Sequence, residues 1–238
     1  MGKNWKMYIG FFLLIFTVVV LNRFSQTSSQ RELLLKKVFS VDGIPASGEW
    51  PWGNQKWTFY KESKSFVFKN TLWFILKSEN NETPTNYYSY SLIQFQKGEV
   101  LFKEMPFLNF DKNFTPKFEL RKISSEVEGL FLVREDCQLD FCKEILSVYS
   151  VANNQLLEIG RILLSDSNLS NCKLQNTQCF EFKGTYQLEK HPGSTFQNIR
   201  VMFKGFEENQ KKETQKIADE VYTFENGKFV SESFKKYH

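Results

Sequence analysis

Short runs in which every second residue is apolar constrain this chain more than any other feature of its sequence. Aromatic rings alternate with other residues at 57–59 (WTF), 66–68 (FVF) and 180–182 (FEF), and apolar side chains alternate at 199–203 (IRVMF). Successive side chains of a β-strand point to opposite faces, so a period of two predicts strands with one buried face. The β-branched and aromatic residues in these runs also pack well on a pleated sheet. The body of the chain is therefore predicted to be β-structure.

Turn-forming residues separate several of these runs and predict hairpins. The segments are 96–99 (QKGE), 152–155 (ANNQ) and 225–228 (ENGK), each between two apolar stretches. Asn and Gly tolerate the positive φ that both central residues of a type I′ turn require. The predicted fold class is all-β, mainly antiparallel and hairpin-rich, with one N-terminal membrane or signal helix. Both a sandwich and a small propeller-like arrangement are compatible with this pattern.

The N-terminal segment has the layout of an export signal. Residues 7–21 (MYIGFFLLIFTVVVL) carry no charge, Lys3 and Lys6 precede them, and Arg23 follows. A positive end before an apolar stretch is typical of signal sequences, and it predicts contact with a membrane through residues 7–21. Two outcomes stay open. A retained signal-anchor predicts a membrane-anchored protein facing an extracytoplasmic compartment, and a cleaved leader predicts a secreted or periplasmic one.

The remaining chain shows no linker rich in Pro, Gly or Ser that would divide it. We therefore expect a signal sequence or signal-anchor at residues 1–29, a short helix and turn-rich segment at 30–54, and a single β-rich extracytoplasmic domain at 55–238. The net charge of the whole chain is +4. Residues 1–29 hold three basic residues and no acidic one, so 28 basic and 27 acidic residues remain beyond them. The predicted extracytoplasmic part is therefore close to neutral.

Four cysteines form two pairs that are close in sequence. In an exported chain an even number of cysteines favours disulfides over free thiols. A zinc site is the alternative, but the spacings CQLDFC and CKLQNTQC are wider than the usual C-x2-C. Three pairings are possible, and the sequence does not select one. The disulfide candidates are Cys137, Cys142, Cys172 and Cys179.

Residues that usually support catalysis are scarce. The chain has two histidines, His191 beside a Pro-Gly turn and His238 at the end, and it has no nucleotide-binding or nucleophile-elbow motif. We expect no cofactor and no metal. A carboxylate group could still act as acid and base in a hydrolase, although a solvated hairpin end is the favoured interpretation. The candidate catalytic residues of that alternative are Glu135, Asp136 and Asp140.

Two aromatic clusters are candidates for a binding surface. Rings exposed on a β-scaffold can stack against a carbohydrate or a protein partner, although packing in the core and covering of strand ends are the commoner roles of such rings. Binding to nucleic acid is not expected, because only six of the 31 basic residues are arginine and no long basic run occurs. The candidate binding residues are Trp50, Trp52, Trp57, Tyr87, Tyr88 and Tyr90.

Together these features predict a membrane-anchored or secreted, non-enzymatic β-domain that acts in partner binding or in envelope structure. A carboxylate-based hydrolase of the cell envelope and a subunit of a larger envelope complex are the alternatives.

Overall fold

The computed structural model describes residues 48–52, 55–59, 64–68, 71–80, 86–138, 141–209 and 211–231. The predicted leader, residues 1–29, and the predicted short helix that follows it lie outside these residues. Within the described part of the chain, no helix has both the length and the apolar character needed to span a membrane.

Strands make up most of the described residues, and the described helical structure is one four-residue helix. Every strand pairing in the described part is antiparallel, which confirms the predicted all-β, mainly antiparallel fold. A sandwich or propeller-like arrangement stays a prediction. The elements are β1 Gly48–Trp52, β2 Gln55–Phe59, β3 Lys64–Phe68, β4 Thr71–Asn80, β5 Tyr87–Gln96, β6 Glu99–Asp111, β7 Lys117–Lys122, β8 Glu128–Gln138, β9 Phe141–Ala152, β10 Gln155–Ser167, α1 Cys172–Gln175, β11 Phe180–Glu189, β12 Asn198–Glu208, β13 Thr214–Lys216, β14 Glu220–Glu225 and β15 Lys228–Ser231.

The three predicted hairpin turns are confirmed by their backbone angles. Both central residues of each turn have positive φ, as a type I′ turn requires. The φ angles are 50° and 82° at Lys97 and Gly98, 52° and 59° at Asn153 and Asn154, and 50° and 83° at Asn226 and Gly227. Each turn joins two neighbouring antiparallel strands, so local turn chemistry sets the register of three hairpins.

Contacts between Cα atoms divide the chain after Lys112 into two compact units. The first unit contains one sheet in the order β1-β2-β4-β5-β6, and β3 pairs with the same strand β4. In β4 all five residues from Leu72 to Leu76 are buried, so side chains on both faces of this strand are covered. The predicted single domain over residues 55–238 stays a prediction.

The second unit is a meander: apart from the short β13, strands that follow one another in the chain are neighbours in the sheet. Its order is β15-β14-β12-β11-β10-β9-β8-β7, and β13 pairs with β12. One face of this sheet carries a continuous apolar core. Gly160 in β10 leaves room there for Phe229 of β15, since a Cβ added at Gly160 would lie 3.4 Å from the Phe229 Cβ. The fully or almost fully buried members of this core include Ile123, Phe131, Leu146, Val148, Ile162, Ile199 and Val201.

Aromatic stacking extends this core toward its edge. The Tyr186 ring stacks on the Phe131 ring with centroids 5.8 Å apart. Burial of the phenol raises the pKa of Tyr186 to about 12, so its hydroxyl stays protonated to a higher pH than that of an exposed tyrosine. An uncharged phenol suits this position because its ring lies against a fully buried phenylalanine.

A disulfide closes the segment between β10 and β11. Cys172 and Cys179 are bonded, their Cα atoms are 5.2 Å apart, and both residues are buried. The disulfide prediction is confirmed for this pair, and the local pairing is the one adopted. Because each cysteine forms one such bond, the two crossed pairings do not occur.

Asn168 anchors both ends of this segment. Its side-chain Oδ1 accepts a hydrogen bond of 2.8 Å from the backbone N–H of Phe180, and its Nδ2 donates one of 2.8 Å to the Gln178 carbonyl. Its own carbonyl accepts a bond from the N–H of Cys172 at 2.9 Å. We call residues 168–180 the disulfide loop; it is held by a covalent bond and by these three hydrogen bonds.

Candidate functional site

The three predicted tryptophans lie on the first two strands. Trp50 in β1 pairs directly with Trp57 in β2, and Trp52 pairs with Gln55. The register therefore places Trp50 and Trp57 at facing backbone positions, with Trp52 two residues further along β1. Their role in binding stays a prediction.

The three predicted tyrosines have different environments. Tyr87 is 43% exposed, whereas Tyr90 is buried and its ring meets the Phe110 ring edge-on at 5.6 Å. The ring of Tyr88 is covered by the Lys77 ammonium, whose Nζ lies 3.8 Å from the ring centroid. Such a cation over an aromatic face is attractive. The rings of Tyr88 and Tyr90 therefore have contacts within the first unit, and a joint binding role of the three tyrosines stays a prediction.

The candidate carboxylates lie near the end of the β8–β9 hairpin. Glu135 is exposed and pairs in register with Glu144, whose carboxylate lies 3.7 Å from the Lys183 ammonium. Asp136 is the next residue of the same strand and pairs in register with Lys143. Asp140 lies outside the described residues. The carboxylate hydrolase remains an untested alternative.

The other two cysteines occupy facing positions in the same hairpin. Cys137 in β8 pairs in register with Cys142 in β9, next to the pair formed by Gln138 and Phe141. Directly paired residues of antiparallel strands have their Cα atoms about 4.5–5.5 Å apart, which is within the range that a disulfide spans. We therefore expect Cys137 and Cys142 to bond with each other.

A cavity that the sequence did not predict opens between two loops of the second unit. It has a volume of about 370 Å³. One loop joins β7 to β8, and the other joins β11 to β12. The lining residues are Lys122, Ser124, Ser125, Lys190, His191, Ser194, Thr195, Phe196 and Gln197. We call this the two-loop cavity.

Backbone contacts fasten the two loops to each other. Ser124 and Phe196 form an isolated antiparallel bridge. The N–H of Gln197 donates to the Ile123 carbonyl at 2.8 Å, and its side-chain Nε2 donates to the Lys122 carbonyl at 2.9 Å. Both walls of the cavity are therefore tied together without any ligand.

Two serine hydroxyls accept hydrogen bonds from the backbone of their own loops. Ser124 Oγ accepts hydrogen bonds from the backbone N–H groups of Glu126 and Val127, at 3.1 and 2.9 Å. Ser194 Oγ accepts one from the N–H of Phe196 at 3.1 Å. A hydroxyl that accepts in this way keeps its own hydrogen as a donor. The cavity therefore contains O–H donors on both walls.

The chemistry of the lining is polar and basic, with one apolar wall. Lys122, Lys190 and His191 contribute nitrogen donors, and no carboxylate is among the nine lining residues. Phe196 is half-buried, and its ring stacks on the Phe224 ring with centroids 4.0 Å apart. The prediction of His191 as a turn residue is confirmed, because its carbonyl accepts a hydrogen bond from the Ser194 N–H at 3.1 Å.

Among the described residues, no group of three or more His, Cys, Asp or Glu side chains is arranged to hold a metal ion. The chain matches no protein-family model, no curated protein and no solved structure.

Proposed function

We propose that this protein acts outside the cytoplasm, held at a membrane by residues 7–21 or released after removal of its leader, and that it works by binding a protein partner. The observation that carries the proposal is the buried disulfide between Cys172 and Cys179. Structural disulfides form and persist in oxidising compartments and are rare in the cytosol. The uncharged N-terminal segment after Lys3 and Lys6 supports the same location.

The disulfide loop is the part of the second unit best suited to meet a partner. Leu174 is 85% exposed and Leu169 is 41% exposed, although both are apolar. The disulfide and the hydrogen bonds of Asn168 hold the loop in one conformation. A loop that is already ordered loses less conformational entropy when it binds, so its contacts contribute more to affinity.

Site-specific photo-crosslinking in the native host tests this proposal. We expect Leu174→p-benzoylphenylalanine to yield a discrete adduct of higher mass upon illumination of intact cells. Leu157→p-benzoylphenylalanine is the matched control, because Leu157 is an exposed leucine in the same unit that lies outside the disulfide loop. Equal adduct yields at the two positions, or no adduct at Leu174, would contradict a binding role for the loop.

A further inference from the structure

The two-loop cavity has a chemical character that the proposed binding of a protein partner does not use. Its volume of about 370 Å³ lies in the range of small-ligand sites, at the lower end. The cavity is larger than a single inorganic ion requires. It could therefore enclose an ionic group together with part of the molecule that carries it.

The charges of the lining favour an anion. Lys122 and Lys190 both line the cavity, and neither ammonium group has a carboxylate within 4.0 Å among the described residues. Elsewhere in the second unit, Lys143 and Lys183 do pair with acidic side chains. Two cations that share a concave site without a counter-charge attract an anion, because their fields add inside the cavity.

The remaining polar groups match the oxygens of a tetrahedral oxyanion. Phosphate and sulfate present several acceptor oxygens and no strong donor, so they require a lining rich in N–H and O–H donors. The cavity offers hydroxyls from Ser125, Ser194 and Thr195 in addition to the ammonium groups and the imidazole of His191. A lining that holds donors and no carboxylate is unfavourable for a cation and favourable for such an anion.

The two loops are organised before a ligand arrives. Lys122 is the last residue of β7, and its carbonyl accepts a hydrogen bond from Gln197 Nε2. Lys190 directly follows the last residue of β11. The backbones of both lysines are therefore positioned by strand ends. Because the loops are already ordered, a ligand does not have to order them when it binds.

From this geometry we propose that the two-loop cavity binds a phosphate or sulfate group, free or carried on a small polar molecule, with Lys122 and Lys190 as the charged contacts. The half-buried Phe196 ring forms an apolar wall for the carrier. The tetrahedral group could belong to a soluble ester, to a lipid headgroup or to free phosphate, and all three share the same recognition chemistry.

Calorimetric titration of the full chain in detergent micelles tests the proposal. The probes are inorganic phosphate, glucose 6-phosphate and a short-chain phosphatidylglycerol added to the same micelles, at constant ionic strength. We expect at least one probe to bind, and we expect Lys122→Ala and Lys190→Ala each to weaken its binding roughly tenfold, since each removes a hydrogen bond to a charged group. Lys228→Ala is the matched control, because Lys228 is an exposed lysine in the last hairpin turn, outside the cavity.

Each result of the titration either identifies the source of the bound group or overturns the proposal. Tighter binding of glucose 6-phosphate than of inorganic phosphate supports a soluble ester, and binding of the phosphatidylglycerol alone supports a lipid headgroup. Inorganic phosphate binding as tightly as the ester supports the free ion. Absence of binding for all three probes, or equal losses in Lys228→Ala and the cavity variants, would overturn the proposal. The crosslinking result at Leu174 is independent of all these outcomes.

Discussion

Replacing both Cys172 and Cys179 with serine will lower the free energy of unfolding by about 2.5 kcal/mol. The two cysteines are seven positions apart, so the bond closes a short loop in the unfolded chain. The cross-link removes conformations mainly from the unfolded state, and the expected loss follows from the length of that loop. Urea unfolding followed by circular dichroism measures this loss.

Hydrogen exchange shows where the double serine variant is altered. We expect faster exchange in the disulfide loop, where the N–H of Phe180 donates to Asn168, and unchanged exchange in the buried β9. When both proteins are measured under reducing conditions, the difference in free energy of unfolding should nearly vanish. An oxidised wild type that is no more stable than the variant would contradict a structural role for this bond.

Replacing Gly205 with alanine will lower the free energy of unfolding by about 4 kcal/mol, from the combined costs of backbone strain and overpacking. Gly205 has φ of 141°, which side-chain-bearing residues rarely adopt. A Cβ at this position would lie 2.0 Å from the Glu181 carbonyl oxygen and 2.6 Å from the Phe182 Cα. These neighbours are backbone atoms of the paired strand β11, so they cannot move aside without breaking the ladder.

Gly227→Ala is the matched control for this substitution. Gly227 also has positive φ, at 83°, but nothing lies within 4 Å of a Cβ added there. This substitution should lower the free energy of unfolding only by the cost of a positive φ in a residue with a side chain, about 1–2 kcal/mol. Urea unfolding of the two variants therefore separates the clash from the backbone strain. Equal stabilities of Gly205→Ala and Gly227→Ala would show that β11 does not approach β12 as closely as described.

The parts of the fold that depend on neighbouring residues could be predicted from the sequence. Alternation at 180–182 and 199–203 placed strands β11 and β12, and Asn226-Gly227 placed the last hairpin, because side-chain direction and turn conformation are local properties. The division after Lys112 had no such signal. No run of Pro, Gly or Ser marks it, and the grouping depends on contacts between distant residues.

The two-loop cavity also depends on contacts between distant residues, so local sequence does not predict it. Lys122 and Gln197 are 75 residues apart in the sequence. Their hydrogen bond forms only because the folded sheet brings the end of β7 close to the start of β12. Nothing in the local sequence around either residue indicates a cavity. The sequence leaves three pairings of the four cysteines open; in the fold, Cys172 bonds with Cys179, and the hydrogen bonds of Asn168 to Gln178 and Phe180 close the same loop.

The redox state of the cysteines in the native host tests the central claim, extracytoplasmic location, most directly. Cells are quenched in acid, the protein is denatured and treated with iodoacetamide without reduction, and the intact mass is recorded. We predict no added alkyl group on any of the four cysteines, since Cys172 bonds with Cys179 and Cys137 faces Cys142. The same spectrum reports whether residues 1–29 are retained. Four alkyl groups would show reduced thiols in a reducing compartment and would contradict the account.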